Sequence, residues 1–233
     1  MNKTTAIILA GGLGKRMKTK VLKQFLPLAG IPVIVHAISK FENSRLVSNI
    51  VIVSHRSYIK RLEGLIKKNA FRKIYKIVPG GETRQESSFI GIKNCPAGTE
   101  LVLIHDAARP FVSEKIIKNV LKAAKSCGAA EPAINVDDTI IETDGAFLKN
   151  IPERDNLKRV QTPQAFRYKT ILKAHEDALK RKTAGLTDDA ALVLAMELPV
   201  RVVEGEACNL KITGRLDMIM AEKILFDKHN LLV

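Results

Sequence analysis

Residues 5–12 read TAIILAGG. An apolar run with adjacent isoleucines and no charge is the pattern of a strand buried on both faces, as in parallel sheets. Gly11, Gly12 and Gly14 follow, and after them come five basic side chains within nine residues: Lys15, Arg16, Lys18, Lys20 and Lys23. A glycine-rich turn after a strand aims backbone N–H groups at one place, and that arrangement suits a phosphate.

Outward from this stretch, strands and helices alternate. PVIVHAISKF (32–41) predicts a helix with Pro32 in its first turn. NIVIVS (49–54) predicts a second strand, 55–69 an amphipathic helix, and KIYKIVP (73–79) a third strand. Residues 82–94 predict a helix, and LVLIHDAARP (101–110) a strand with a polar tip. Ser113 and Gly128 bracket the next helix as N-cap and terminator. From 129 the pattern becomes strands with tight turns, and TIIETDGAFLKNI (139–151) is a hairpin signal with Asp144-Gly145 at its turn. Helices are expected over 168–182, 187–198 (Thr187 as N-cap) and 216–230, and a strand over 200–213. The expected fold is α/β: a Rossmann-like, mostly parallel sheet flanked by helices, one domain over 1–233, with a projecting hairpin arm at about 135–155.

The chain has 233 residues, 46% of them hydrophobic, which bounds it to one sizeable core and at most two domains. Aromatic residues are 5% and Trp is absent, unlike a single-strand binder that stacks bases. The net charge of +14 admits a second class of function, a basic nucleic-acid-binding protein on an α/β scaffold. Its cations are spread along the chain and no binding module is visible, so no nucleic-acid partner is expected. Cys95, Cys127 and Cys208 are odd in number and form no C-x-x-C pair, which reads as reduced thiols without a disulfide frame or zinc site. There is no export-type leader and no spanning apolar run, so a cytoplasmic protein free of the membrane is expected.

The phosphate turn is neither of two common types. A Walker A loop fails because Arg16 follows Gly14-Lys15, and the dinucleotide fingerprint fails because Met17 stands where its third glycine would be. What remains is a turn flanked by Arg16 and Lys23, suited to a nucleoside triphosphate. Two more strand ends, PGGETRQES and HDAARP, carry glycine or charge where a strand hands over to a helix. In an open parallel sheet those carboxyl ends are where ligands bind. Some residues also have bland readings. Lys211 fits the outward face of a strand, Arg154 the surface, Asp188-Asp189 a helix N-terminus, His105 a satisfied polar residue at a strand tip, and Thr162 and Gln164 the shaping of a loop.

In order along the chain stand LAGGLGKRM, KQFL, GGETRQES, HDAARPF, DDT, RDNL, TPQAF, TDDA and NLKIT. In these motifs and their spacing the chain resembles the cytidylyltransferases of the 2-C-methyl-D-erythritol 4-phosphate pathway to isoprenoids, over about residues 5–222. It departs from their usual pattern in Gly11 of Ala10-Gly11-Gly12, in Leu22 before the Lys-Gln pair, and in Gly214-Arg215-Leu216-Asp217 after NLKIT. The first departure leans toward the related ribitol-5-phosphate cytidylyltransferases, whereas Ala108 and the segment Glu82–Ser87 lean back.

The resemblance implies cytidylyl transfer from CTP to 2-C-methyl-D-erythritol 4-phosphate, with ribitol 5-phosphate as the alternative polyol phosphate, releasing pyrophosphate, with Mg²⁺ or another divalent cation, in a homodimer with exchanged arms. It implies that Arg16, Lys23, Arg154 and Lys211 carry the reaction, Arg154 reaching in from the partner subunit. Ala10, Gly11, Gly12, Gly80, Gly81 and Ser87 would hold the nucleotide. Asp106, Arg109 and Thr139 would hold the substrate, with Asp106 also in the metal shell. The acceptor is a phosphate monoester with a second pKa near 6, already mostly dianionic at neutral pH. Such chemistry calls for cations and positioning rather than a general base.

Overall fold

The apolar run that opens the chain is the centre of the sheet. In the computed structural model, which describes residues 3–12, 22–181 and 188–230, it forms β1 (Thr4–Ala10). The short strands β2 (Pro27–Leu28) and β3 (Ile31–Pro32) pair separately. β1 lies in parallel between β4 (Asn49–Ser54) and β6 (Leu101–Asp106), and β5 (Ile74–Pro79) extends the sheet beyond β4. β6 is followed in space by the antiparallel β11 (Gln164–Arg167). β7 (Ala129–Asn135) pairs antiparallel with β11 at its start and with β10 (Lys158–Val160) at its end. β12 (Arg201–Glu204) runs parallel to β7 on the other edge. The sheet is thus mixed but mostly parallel, as expected.

Burial on both faces follows from the two-residue period of a strand. Ala6 and Ile8 face a cluster with α1 (Val33–Asn43), α2 (Ile59–Lys68) and α4 (Glu114–Cys127), whereas Ile7 faces α3 (Arg84–Lys93), α5 (Tyr168–Lys180) and α6 (Asp189–Leu194). α7 (Arg215–Asn230) packs through Ala221 on Leu28, Phe111 and Ile212. No helix among the described residues is long and apolar enough to cross a membrane.

The chain walks from β1 to β4 and β5, then returns to β6 on the other side of β1. The β1/β6 boundary is therefore the switch point, where a doubly wound sheet opens a crevice at its carboxyl edge.

Local signals held in detail. Ser113 Oγ accepts from the Ile116 N–H at 3.1 Å, and Gly128 past the helix has φ 97°. The hairpin forms between β8 (Glu142–Thr143) and β9 (Leu148–Asn150), with Gly145 at φ 109° in its turn, a value that excludes most side chains. Residues 137–151 are exposed throughout.

Two elements differ from expectation. The helix expected over 187–198 spans only Asp189–Leu194. Asp188 caps it by accepting from Ala190 at 2.7 Å, and Thr187 lies outside the described residues. Pro199 disfavours helical backbone at Leu198, and the chain leaves the helix through Glu197 at φ 59°. The strand expected over 200–213 stops at Glu204, opposite Ala133 of β7, and a turn closes with Asn209 N–H donating to Glu206 O at 2.9 Å.

Candidate active site

At the β1/β6 boundary lies a cleft of about 400 Å³ lined by Gly11, Lys23, Arg84, Ser87, Asp106 and Lys211, among others. Its residues come from five distant segments, each fixed by its own contacts.

The floor is the tip of β6. His105 is fully buried, and its Nε2 faces Arg109 O at 3.0 Å while Nδ1 faces Thr162 Oγ1 at 3.0 Å. Burial pushes its pKa down to about 4, so the ring is neutral at pH 7. A carbonyl can only accept, so Nε2 carries the proton and Nδ1 accepts from the Thr162 hydroxyl. Thr162 Oγ1 then accepts from the Asp106 N–H at 3.1 Å. The chain of bonds locks HDAARP to TPQAF. NLKIT joins through Asn209, whose Nδ2 donates to Thr162 O at 2.9 Å and whose carbonyl accepts from Arg109 Nη1 at 2.8 Å. Ile212 N–H donates to Ala108 O at 2.8 Å, which seats Lys211 above the β6 tip.

Lys211 Nζ consequently lies 2.7 Å from Asp106 Oδ2, and Arg84 Nε lies 3.7 Å from Oδ1. Burial alone would raise the Asp106 pKa. The two cations outweigh it and hold the carboxyl far below the usual carboxylate range. The floor is thus one fixed anion between two cations.

Lys23 opens a turn of 3-10 helix, Lys23–Phe25. The next residue, Gln24, is buried and donates through Nε2 to Ala10 O at 2.5 Å and Gly12 O at 3.3 Å. Phe25 stacks on Tyr58 at 4.7 Å. These contacts staple the Lys-Gln-Phe segment to the end of β1, so Lys23 lines the cleft.

The opposite wall is the start of α3. Thr83 Oγ1 accepts from the Glu86 N–H at 3.0 Å and Glu86 Oε2 accepts from the Thr83 N–H at 3.4 Å, a capping box. Ser87 Oγ accepts from the Gly81 N–H at 3.2 Å. A Cβ on Gly81 would stand 2.5 Å from Glu86 Cβ, and one on Gly80 2.8 Å from Ser87 Oγ. One on Gly11 would meet Ser87 Oγ at an ordinary 3.7 Å, and one on Gly12 would meet nothing within 4 Å. Gly80 and Gly81 are required by space; Gly11 and Gly12 are not.

Of the expected site residues, the structure brings Gly11, Gly12, Lys23, Gly81, Ser87, Asp106 and Lys211 to one cleft. Ala10 and Gly80 adjoin it through Gln24 and Ser87. Arg16 lies outside the described residues. Arg109, expected on the substrate, is not in the lining. Its guanidinium donates to Asn209 O and, at 3.3 Å, to Val160 O, and so ties the floor together. Thr139 is exposed on the arm. Arg154 lies in a separate polar cleft with Asp137 and Asp155, its Nη1 donating to Asp137 O at 3.4 Å. Gln24, Asn209 and Arg84 were not singled out from sequence. The first two act through backbone carbonyls, which leave no pattern of their own, whereas Arg84 stood in plain view inside GGETRQES.

A doubly wound sheet with a glycine-walled, cation-bearing cleft at its switch point defines a nucleotide-binding α/β protein. Residues 4–227 match the 2-C-methyl-D-erythritol 4-phosphate cytidylyltransferase family, and the chain belongs to it. A relative of that name from Desulforamulus reducens is 43% identical over 227 residues, 97% of each chain. The solved 4-diphosphocytidyl-2C-methyl-D-erythritol synthase of Anaerococcus prevotii superposes with a TM-score of 0.84 at 30% identity over 95% of both chains. The Thermus thermophilus 2-C-methyl-D-erythritol 4-phosphate cytidylyltransferase gives 0.77 at 32% identity, covering 94% of this chain and 97% of its own.

Proposed function

We infer that the protein transfers a cytidylyl group from CTP to 2-C-methyl-D-erythritol 4-phosphate, releasing pyrophosphate, in isoprenoid precursor synthesis. The observation that carries this is the convergence of Lys23, Asp106 and Lys211 on one cleft at the switch point.

The substrate phosphate attacks the α-phosphorus of CTP directly. A P–O bond forms and the bond to pyrophosphate breaks. Both partners are anionic, so the protein's work is to bring cations to bear and to hold an in-line geometry. Lys23 faces the triphosphate and stabilises the charge passing to pyrophosphate, with Arg16 as its companion. Lys211, seated by the Ile212–Ala108 bond, positions the substrate phosphate. Ala10, Gly11, Gly12, Gly80, Gly81 and Ser87 form the nucleotide wall, where missing side chains leave room for a base edge.

Asp106 is the carboxylate at the cleft floor, and Mg²⁺ binds through one or two carboxylates together with substrate phosphates and water. The residues therefore fit a Mg²⁺ ion carried in by CTP, with Asp106 in its outer shell. Bound there, the ion would neutralise phosphate charge.

The working form is a homodimer with exchanged arms, in which Arg154, Thr139 and the arm reach toward the partner's cleft. Support comes from the arm's own surface. Phe147 is 78% exposed, Leu148 58% and Ile151 55%. A hairpin with so much bare apolar surface is marginal alone and gains by being covered. A cytoplasmic setting goes with the three unpaired thiols.

The test is pyrophosphate release from CTP and Mg²⁺ with methylerythritol 4-phosphate and ribitol 5-phosphate in parallel. Faster release with the first is expected. Preference for ribitol phosphate would keep the mechanism and overturn the substrate, and no release with either would overturn the reading.

A further inference from the structure

Arg84 stands in the first turn of α3, anchored by the capping box before it, and its side chain is 24% exposed at the cleft. It faces two carboxylates, and they hold it unequally. Its Nη1 lies 2.5 Å from Asp189 Oδ2, a short charge-assisted hydrogen bond, whereas its Nε lies 3.7 Å from Asp106 Oδ1, beyond hydrogen-bond reach. The guanidinium is therefore aimed from behind, by Asp189, and not from the cleft floor. With five N–H donors, it has more than these two contacts use.

Asp189 is itself held. Only 1% exposed, at the start of α6, it accepts at Oδ1 from His175 Nε2 of α5 at 3.1 Å. The His175 ring lies flat against Phe89 of α3, with centroids 5.4 Å apart and 9° between the planes. Both Asp189 oxygens are thus committed, one to a clamped imidazole and one to Arg84. Asp189 cannot touch a substrate, because it has almost no surface to touch it with.

We propose that Arg84 is a third cation of the reacting centre beside Lys23 and Lys211, and that Asp189, clasped by His175, is the positioning residue that presents it to the triphosphate. A cation fixed in place before the reaction stabilises developing charge without reorganising at the moment of transfer. Behind a cleft that must grip CTP and then release pyrophosphate, a rigid carboxylate does for Arg84 what the Gln24 staple does for Lys23.

The inference rests on the cleft being the reacting centre, and the experiment separates the two. In the full chain, Arg84→Gln should lower kcat by about 10- to 100-fold, as loss of a charge-stabilising donor does. Asp189→Asn, which keeps the volume, should lower kcat by about tenfold in the wild-type background and by less than about twofold when Arg84→Gln is already present. A merely structural Asp189 would lower activity by the same factor in both backgrounds. That result would overturn the proposal, as would Asp189→Asn with unchanged kcat. If Asp189→Asn does not fold by thermal melt, His175→Gln, whose amide can still donate to Asp189, takes its place, with a smaller loss and the same dependence on Arg84 expected. Lys211→Ala is run alongside. Loss of activity there with Arg84→Gln unaffected sinks only the Arg84 proposal, whereas wild-type kcat in Lys211→Ala sinks the cleft reading itself.

Discussion

At the scale of single residues, charge and space divide the work of the cleft. Lys23 is held at the end of β1 through Gln24, and its role is read from kinetics. Lys23→Ala should depress kcat by about 10²-fold in steady-state assays, and an effect confined to KM would make it a binding residue only. Space explains the glycines separately. Gly11 departs from the alanine common in the family, yet a methyl group there would rest at van der Waals distance from Ser87 Oγ. Gly11→Ala should leave kcat/KM within a few-fold of wild type. Gly81→Ala would press Cβ into Glu86 and disturb the capping box, so thermal melts should show a loss of about 1–3 kcal/mol.

At the scale of elements, the strands and their polar ends were legible because each carries a local signal: an unbroken apolar run, then glycine or charge. LVLIHDAARP announced both the strand and its functional tip. What the tip binds to was not legible. The His105–Thr162–Asp106 chain joins residues more than fifty positions apart, and no local period records such a bond. For the same reason Lys211 had an equally good reading as the face of a strand, although it stands on a loop. A half-buried carboxyl and a buried imidazole also give opposite pH dependences over one window. Burial, with the Asp188 charge nearby, pushes the Glu131 carboxyl up to about 7 from its ordinary 4.5. The folded state thus holds that proton more tightly, and this stabilisation is present below pH 4.5 and lost as pH rises through 7. His105, lowered to about 4 from 6.5, favours folding above pH 6.5 and loses that as pH falls through 4. Glu131→Gln should therefore raise the thermal midpoint at pH 7.5 and change it little at pH 4.5, leaving a profile that climbs with pH as His105 dictates.

At the scale of the whole molecule, the arm is the part that one chain cannot explain. Its hairpin signal was plain in Asp144-Gly145, but the dimer proposed for it leaves no mark in the chain's own contacts. If each cleft draws Arg154 from its partner, mixed dimers of Arg154→Ala and Lys211→Ala chains should recover activity that neither homodimer has. Verified heterodimers without recovery would sink the shared site. The hydrogen-bonded knot beneath the cleft has a further consequence, for synthesis. Asp106, Thr162 and Asn209 are tied to one another, and Asn209 comes after the last strand of the described sheet. A polypeptide leaving the ribosome in order would have made its glycine-rich wall, the turn that bears Lys23 and the described strands of its sheet before the piece that closes the floor exists. The growing chain is in that sense kept from acting on a nucleotide until that late piece has emerged.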